Sequence, residues 1–140
     1  MSFVLDSSVT LAWCFEDERT QVTDALLERV SESGAIAPSL WPLEILNALA
    51  MAERRGRIDA NRRHRLTGFL RDLPVRLDDE MAHQAWTATS RLAADFRLTI
   101  YDATYLELAQ RLNLPLATRD MELRSAADAL AIELLGHWLP

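Results

Sequence analysis

Short apolar runs that alternate with longer segments of helical spacing constrain this chain more than any other feature. Residues 3–6, 35–37, 75–77 and 114–117 are each long enough for a buried strand and too short for a helix. Between them, Val22, Leu26 and Val30 recur at four-residue steps, Leu66, Phe69, Leu70 and Leu73 form one stripe, and Ala85, Ala88, Leu92 and Phe96 form another. The spacing predicts helices over residues 20–30, 40–54, 60–73, a long segment beginning at Asp78, 101–112 and 123–131, with Ser39 capping the second and Pro74 stopping the third. Strands that alternate with helices build an α/β fold, here a three-layer α/β/α domain with a short, mainly parallel sheet. Binding groups in such folds sit at the carboxyl ends of the strands.

At 140 residues, the stretch 1–140 reads as one domain with room for a real core. Cys14 is the only cysteine, so no disulfide forms within the chain, which fits a reducing compartment. No basic segment leads into a long apolar run, and none reaches the ~18–20 residues of a membrane span. The expectation is a cytoplasmic protein without a membrane partner.

Fifteen basic residues against 21 acidic ones, net −6, argue against a protein whose work is coating nucleic acid, but not against an enzyme that touches a few phosphates. Every basic residue is arginine, which removes lysine-nucleophile and Schiff-base mechanisms. Only Gly34, Gly56, Gly68 and Gly136 are present, so neither a dinucleotide-binding turn nor a phosphate loop can be written.

Acids stand where chemistry is expected. Asp6 closes the first strand, Asp120 follows the fourth, and Asp102 lies in a first helical turn; each also has a plain reading as a helix cap or a first-turn acid. Glu44 is harder to explain that way, because residues 41–51 read as a helix apolar nearly all round and therefore buried. A buried carboxylate needs a partner, a metal or a raised pKa. Asn47, one turn later, is a second polar group there. Such a set of hard oxygen ligands suits Mg²⁺, or Mn²⁺, and the hydrolysis of phosphodiesters by a metal-activated water.

Four blocks in this order resemble those of PIN-domain ribonucleases, and most nearly the VapC-type toxins of toxin-antitoxin modules. They are Asp6-Ser7-Ser8 after a strand, Glu44 with Asn47, Tyr101 through Ala109 around Asp102, and Ala117-Thr118-Arg119-Asp120. The resemblance implies a Mg²⁺-dependent endoribonuclease in which Asp6, Glu44, Asp102 and Asp120 are the catalytic, metal-binding acids. Asp6 and Asp102 are then the principal ligands, and Glu44 and Asp120 act through water or a second metal. Ser8 and Thr118 match hydroxyls that support the acids, and Asn47 a polar position near the glutamate. A homodimer, a cognate antitoxin laid across the groove and an RNA substrate are implied with them; the apolar surroundings of Trp13 and Trp41 are candidate contact faces.

The remaining polar residues say less. Arg54, Arg55, Arg57, Arg62, Arg63 and Arg65 make a basic turn that either contacts RNA or is a solvated hairpin, and Arg119 is placed to touch a phosphate. His64, His83 and His137 lack zinc spacing. Cys14 reads as inert packing, and Trp13, Trp41, Trp86 and Trp138 as core or interface residues. The rival of another class is a noncatalytic module that binds a protein or RNA, against which an intact acidic quartet counts. A flap-cutting DNA nuclease lacks room for its extra helices, and an aspartyl-nucleophile phosphatase lacks both the second aspartate, replaced by Ser8, and a bracing lysine.

Overall fold

The structure, a computed structural model, describes residues 2–136. The chain runs β1 (Val4–Leu5), α1 (Ser7–Ala12), a 3-10 turn (Glu16–Glu18), α2 (Gln21–Ser33), β2 (Ala35–Pro38), α3 (Trp41–Arg54), α4 (Ala60–Arg71) and β3 (Val75–Asp78). It continues with α5 (Met81–Gln84), a π turn (Ala85–Thr89), α6 (Ser90–Phe96), α7 (Ile100–Leu112), β4 (Leu116–Ala117), α8 (Met121–Ala129) and β5 (Leu134–Leu135). His137 and Trp138 lie outside the described residues.

All pairings are parallel, in the order β3-β2-β1-β4-β5, with Val4 opposite both Ile36 and Leu116. The chain winds outward from β1 to β3, then returns to β4 on the other side of β1. Right-handed crossovers place helices on opposite faces for the two directions of winding, which gives the three layers. The direction reverses between β1 and β4, where the crevice of such a sheet opens.

A parallel sheet covered on both faces needs continuous apolar strands. Phe3, Val4, Leu5 and Leu116 are fully buried, while Arg76 and Leu77 on the edge strand β3 are exposed. Helix α7, buried from Ala103 to Ala109, packs on β1, β2 and β4. Gly34 ends α2 at φ 76°, and a Cβ there would stand 3.0 Å from the Pro74 carbonyl oxygen, so both the turn and the close approach of β3 require glycine.

Three expectations are corrected. Ser39 does not cap α3: Leu40 holds that position with helical backbone angles, and the Ser39 hydroxyl donates instead to the Asp78 carbonyl. Asp78 ends β3 rather than starting a helix, its carboxylate gripped by Arg111 of α7, and the helix after it begins at Met81 and loosens into the π turn. Helix α3 is not buried all round; Trp41, Ile45, Leu49 and Ala52 face the core, but Leu43, Leu46 and Asn47 are exposed. Apolar character permits burial without enforcing it. Of the tryptophans read as core or interface residues, Trp86 is exposed, while Trp13 and Trp41 lie inside the core, their indoles donating to the Thr23 carbonyl and the Thr10 hydroxyl at 2.7 and 3.0 Å.

Candidate active site

Three elements deliver acids to the carboxyl edge of the sheet around the β1–β4 crevice, and α3, which follows β2, adds a fourth. Asp6 leaves β1 with its amide donating to the Ala117 carbonyl at 3.0 Å, so β4 fixes its backbone. Its side chain does not cap α1. One carboxylate oxygen instead accepts from Ser8 at 2.6 Å and from Thr118 at 2.7 Å, and the residue is 2% exposed. Ser8 in turn accepts from the Arg119 amide and Thr118 from the Asp120 amide, at 2.9 and 3.1 Å. The two hydroxyls expected to support the acids therefore bind β1 and β4 together through Asp6.

Asp120 caps α8, accepting from the Leu123 amide at 2.8 Å through one oxygen. The cap and the site reading are compatible, because a carboxylate has two oxygens with room for several partners. Asp102 lies in the first turn of α7, whose cap is Thr99; the Asp102 amide donates to the Thr99 hydroxyl at 3.1 Å. Thr99 also hydrogen-bonds the Asp102 carboxylate, a contact that lowers its pKa against the burial that raises it.

Glu44, in the first turn of α3, is half-buried, and Tyr105 of α7 donates its phenol to it at 2.5 Å. Tyr105 is fully buried. It is the functional residue that the sequence reading missed, for it stands among apolar neighbours in α7 and nothing along the chain marks its hydroxyl as aimed at another helix. Asn47 is brought to the surface instead, and no contact ties it to Glu44.

The electrostatics show how the four acids bear on one another. Burial pushes the Asp6 carboxyl up, its two hydroxyl donors pull it down, and Glu44 pushes it up again. Glu44 is raised by burial, lowered by Tyr105 and raised by Asp102. Burial, then Asp6, then Asp120 raise Asp102 to about 6. Among the described residues no ion pair joins any of the four to an arginine or histidine. Arg119, next to Asp120, donates to Glu18 at 3.1 Å, and in the basic turn Arg57 pairs with Asp17 and Glu18, Arg63 pairs with Glu53, and Arg62 donates to the Cys14 carbonyl at 3.1 Å. The basic turn is thus partly neutralised from within. Cys14 is buried and its thiol is pushed up to about 11, which makes it packing and not a nucleophile. Among the described residues no three His, Cys, Asp or Glu side chains are close enough to hold an ion as they stand, and no helix is long and apolar enough to cross a membrane.

A short parallel sheet wound both ways from its central strand, with carboxylates gathered at the switch point, is the architecture of the PIN domain. The chain matches that domain over residues 3–129 and belongs to the PIN domain family, whose members are typically nucleases that use divalent metal ions. Among solved structures it is similar to PAE2754 from Pyrobaculum aerophilum, at 26% identity and a TM-score of 0.65, over 90% of this chain and 84% of that one. It also shares its fold with FitAcB from Neisseria gonorrhoeae, at 15% identity and TM-score 0.67 over 95% and 96% of the two chains. VapBC2 from Rickettsia felis, bound to a DNA fragment from its promoter, aligns at 11% identity and TM-score 0.64 over 96% and 97%. Among curated proteins none matches.

Proposed function

We propose that this chain is a VapC-type toxin, an endoribonuclease that hydrolyses RNA phosphodiesters with Mg²⁺ or Mn²⁺ held by Asp6, Glu44, Asp102 and Asp120. The observation that carries the reading is the uncompensated acidity of the site: Asp6, Glu44 and Asp102 are each raised by burial and by a neighbouring carboxylate, Asp120 being one of those acting on Asp102, and among the described residues no arginine or histidine is paired to the four acids. Such a set is costly unless it serves a cation. The donors are hard oxygens, and a Mg²⁺ site needs only one or two carboxylates because the ion keeps several waters. The lack of a ready three-acid cluster among the described residues is therefore compatible with this ion.

A bound divalent cation supplies a water of lowered pKa and neutralises charge on the phosphate. The chain's own residues set the stage for that. Ser8 and Thr118 occupy one oxygen of Asp6 and orient the carboxylate, and Tyr105 holds one oxygen of Glu44 in the same way. Asp120, with one oxygen used as a helix cap, has the other to offer. Asn47, exposed on α3, is available to substrate and not to the acids. The toxin role and a cognate antitoxin are supported by the fold shared with VapBC2 and with FitAcB; a homodimer in the cytoplasm belongs to the same reading and rests on the resemblance of the sequence blocks. A noncatalytic protein- or RNA-binding module is the second reading, favoured by the spacing of the acids alone.

The test is cleavage of total cellular RNA by the purified chain with Mg²⁺, run beside Asp102→Ala and an EDTA control. Discrete products that vanish in both controls are expected. Intact RNA, together with no heat of Mg²⁺ binding by calorimetry, assigns the chain to the noncatalytic reading.

A further inference from the structure

Of the eight large hydrophobic side chains exposed among the described residues, four adjoin the site acids: Leu43 precedes Glu44, Ile100 and Tyr101 precede Asp102, and Met121 follows Asp120. Single exposed apolar residues are ordinary, but a grouping of them around a polar centre marks a binding surface. All four lie in first helical turns, of α3, α7 and α8, at the carboxyl edge of the sheet. Tyr101 is the one aromatic among them, 65% exposed. Its ring stands on a rigid base, since the Tyr101 carbonyl accepts from the Thr104 hydroxyl at 2.5 Å and the next amide is held by Thr99.

We propose that Tyr101 is a specificity-determining residue for unpaired RNA, its ring stacking on a nucleobase beside the phosphodiester presented to the acids. The proposal rests on the ribonuclease reading of the same site. A chain of net charge −6 gains little from phosphate attraction, and Arg119, the arginine next to the acids, is already tied to Glu18. Contacts that carry no charge then take a larger share of the affinity for RNA beside the bound phosphate. Base stacking on an aromatic ring is such a contact, and only an unstacked, unpaired base offers its face. Ile100, Leu43 and Met121 supply apolar surface around the same mouth, which shields the base from water.

The experiment measures kcat and KM with Mg²⁺ for wild type, Tyr101→Ala and Tyr101→Phe on an RNA oligonucleotide that wild type cleaves, offered single-stranded and annealed to its complement. Tyr101→Ala is expected to raise KM for the single strand by about 5- to 100-fold with kcat within a few-fold, while Tyr101→Phe restores KM. Melting temperature stays unchanged in both variants, because the ring is outside the core. The annealed RNA is cut poorly and without regard to residue 101. A KM that ignores Tyr101→Ala overturns this proposal alone and assigns the apolar rim to a protein partner. Failure of Tyr101→Phe to restore KM overturns it as well, in favour of the hydroxyl. A wild type that cleaves no RNA overturns the ribonuclease reading itself, and the base-stacking role falls with it.

Discussion

Asp102 shows at the residue scale what the clustering of acids costs. In the unfolded chain its carboxyl titrates near the ordinary 3.8, and in the folded protein burial, Asp6 and Asp120 raise it to about 6. Between those values the native state holds a proton that the unfolded state has lost, so the stability of the metal-free protein falls as pH rises from about 4 to about 6 and stays low above that. After allowance for solvent screening at a partly exposed group, the penalty at neutral pH is on the order of 1–2 kcal/mol. Asp102→Asn removes it. Urea unfolding in EDTA is therefore expected to show the variant more stable than wild type at pH 7 and indistinguishable at pH 3.5, with a shallower slope between. Asp6 and Glu44 are raised as well, so a slope of the same sign persists in the variant. Equal slopes for the two proteins would sink the account.

At the scale of elements, α7 is tied to the end of the edge strand β3 by an ion triad whose two carboxylates are buried. Arg111 of α7 grips both oxygens of Asp78 at the end of β3, at 3.2 and 2.7 Å, and both oxygens of Glu107 one turn back, at 3.1 and 2.8 Å. Asp78 and Glu107 are buried at 8% and 4% exposure. Removal of the arginine leaves two buried carboxylates without a counter-charge, a loss of about 3 kcal/mol or more. Arg111→Met should lower stability by that amount, and Arg111→Met combined with Asp78→Asn and Glu107→Gln should recover much of it, as unfolding in urea would register. None of this was visible along the chain, where Asp78 read as a helix start and nothing set Arg111 apart. Local signals did reveal the elements themselves, because period and punctuation are local: the four strands, the Thr20 and Asp120 ends of helices, and the stop before Pro74. What stayed hidden depends on which elements become neighbours. Ser39 was misassigned because its partner is a carbonyl on β3, and Tyr105 was overlooked because its partner is on α3.

For the whole molecule, the winding of the sheet makes the same acids that weaken the metal-free fold a source of stability once a cation is bound. The four acids were legible as a candidate set only through the order of blocks that resembles the family, since each aspartate alone also reads as a helix cap or first-turn acid; the way β1 and β4 lock Asp6 between two hydroxyls was not legible, because it needs strands more than a hundred residues apart in sequence, as Ser8 and Thr118 are, to lie side by side. A ligand that binds only the folded chain adds about 2.7 kcal/mol of stability at one hundred times its Kd, which for a domain near this size moves the melting temperature by about 5–10 °C. Carboxylates must be ionised to bind a metal, so the gain grows with pH across the range in which Asp102 loses its proton. Saturating Mg²⁺ is thus expected to raise the melting temperature more at pH 8 than at pH 5, and so to reverse or flatten the fall in stability seen in EDTA. Asp102→Ala and Asp6→Ala should each abolish most of the shift while folding normally. A Mg²⁺ shift that is equal at both pH values, or that survives both substitutions, would place the ion elsewhere on the surface and leave the acidic crevice without the cation its charge calls for.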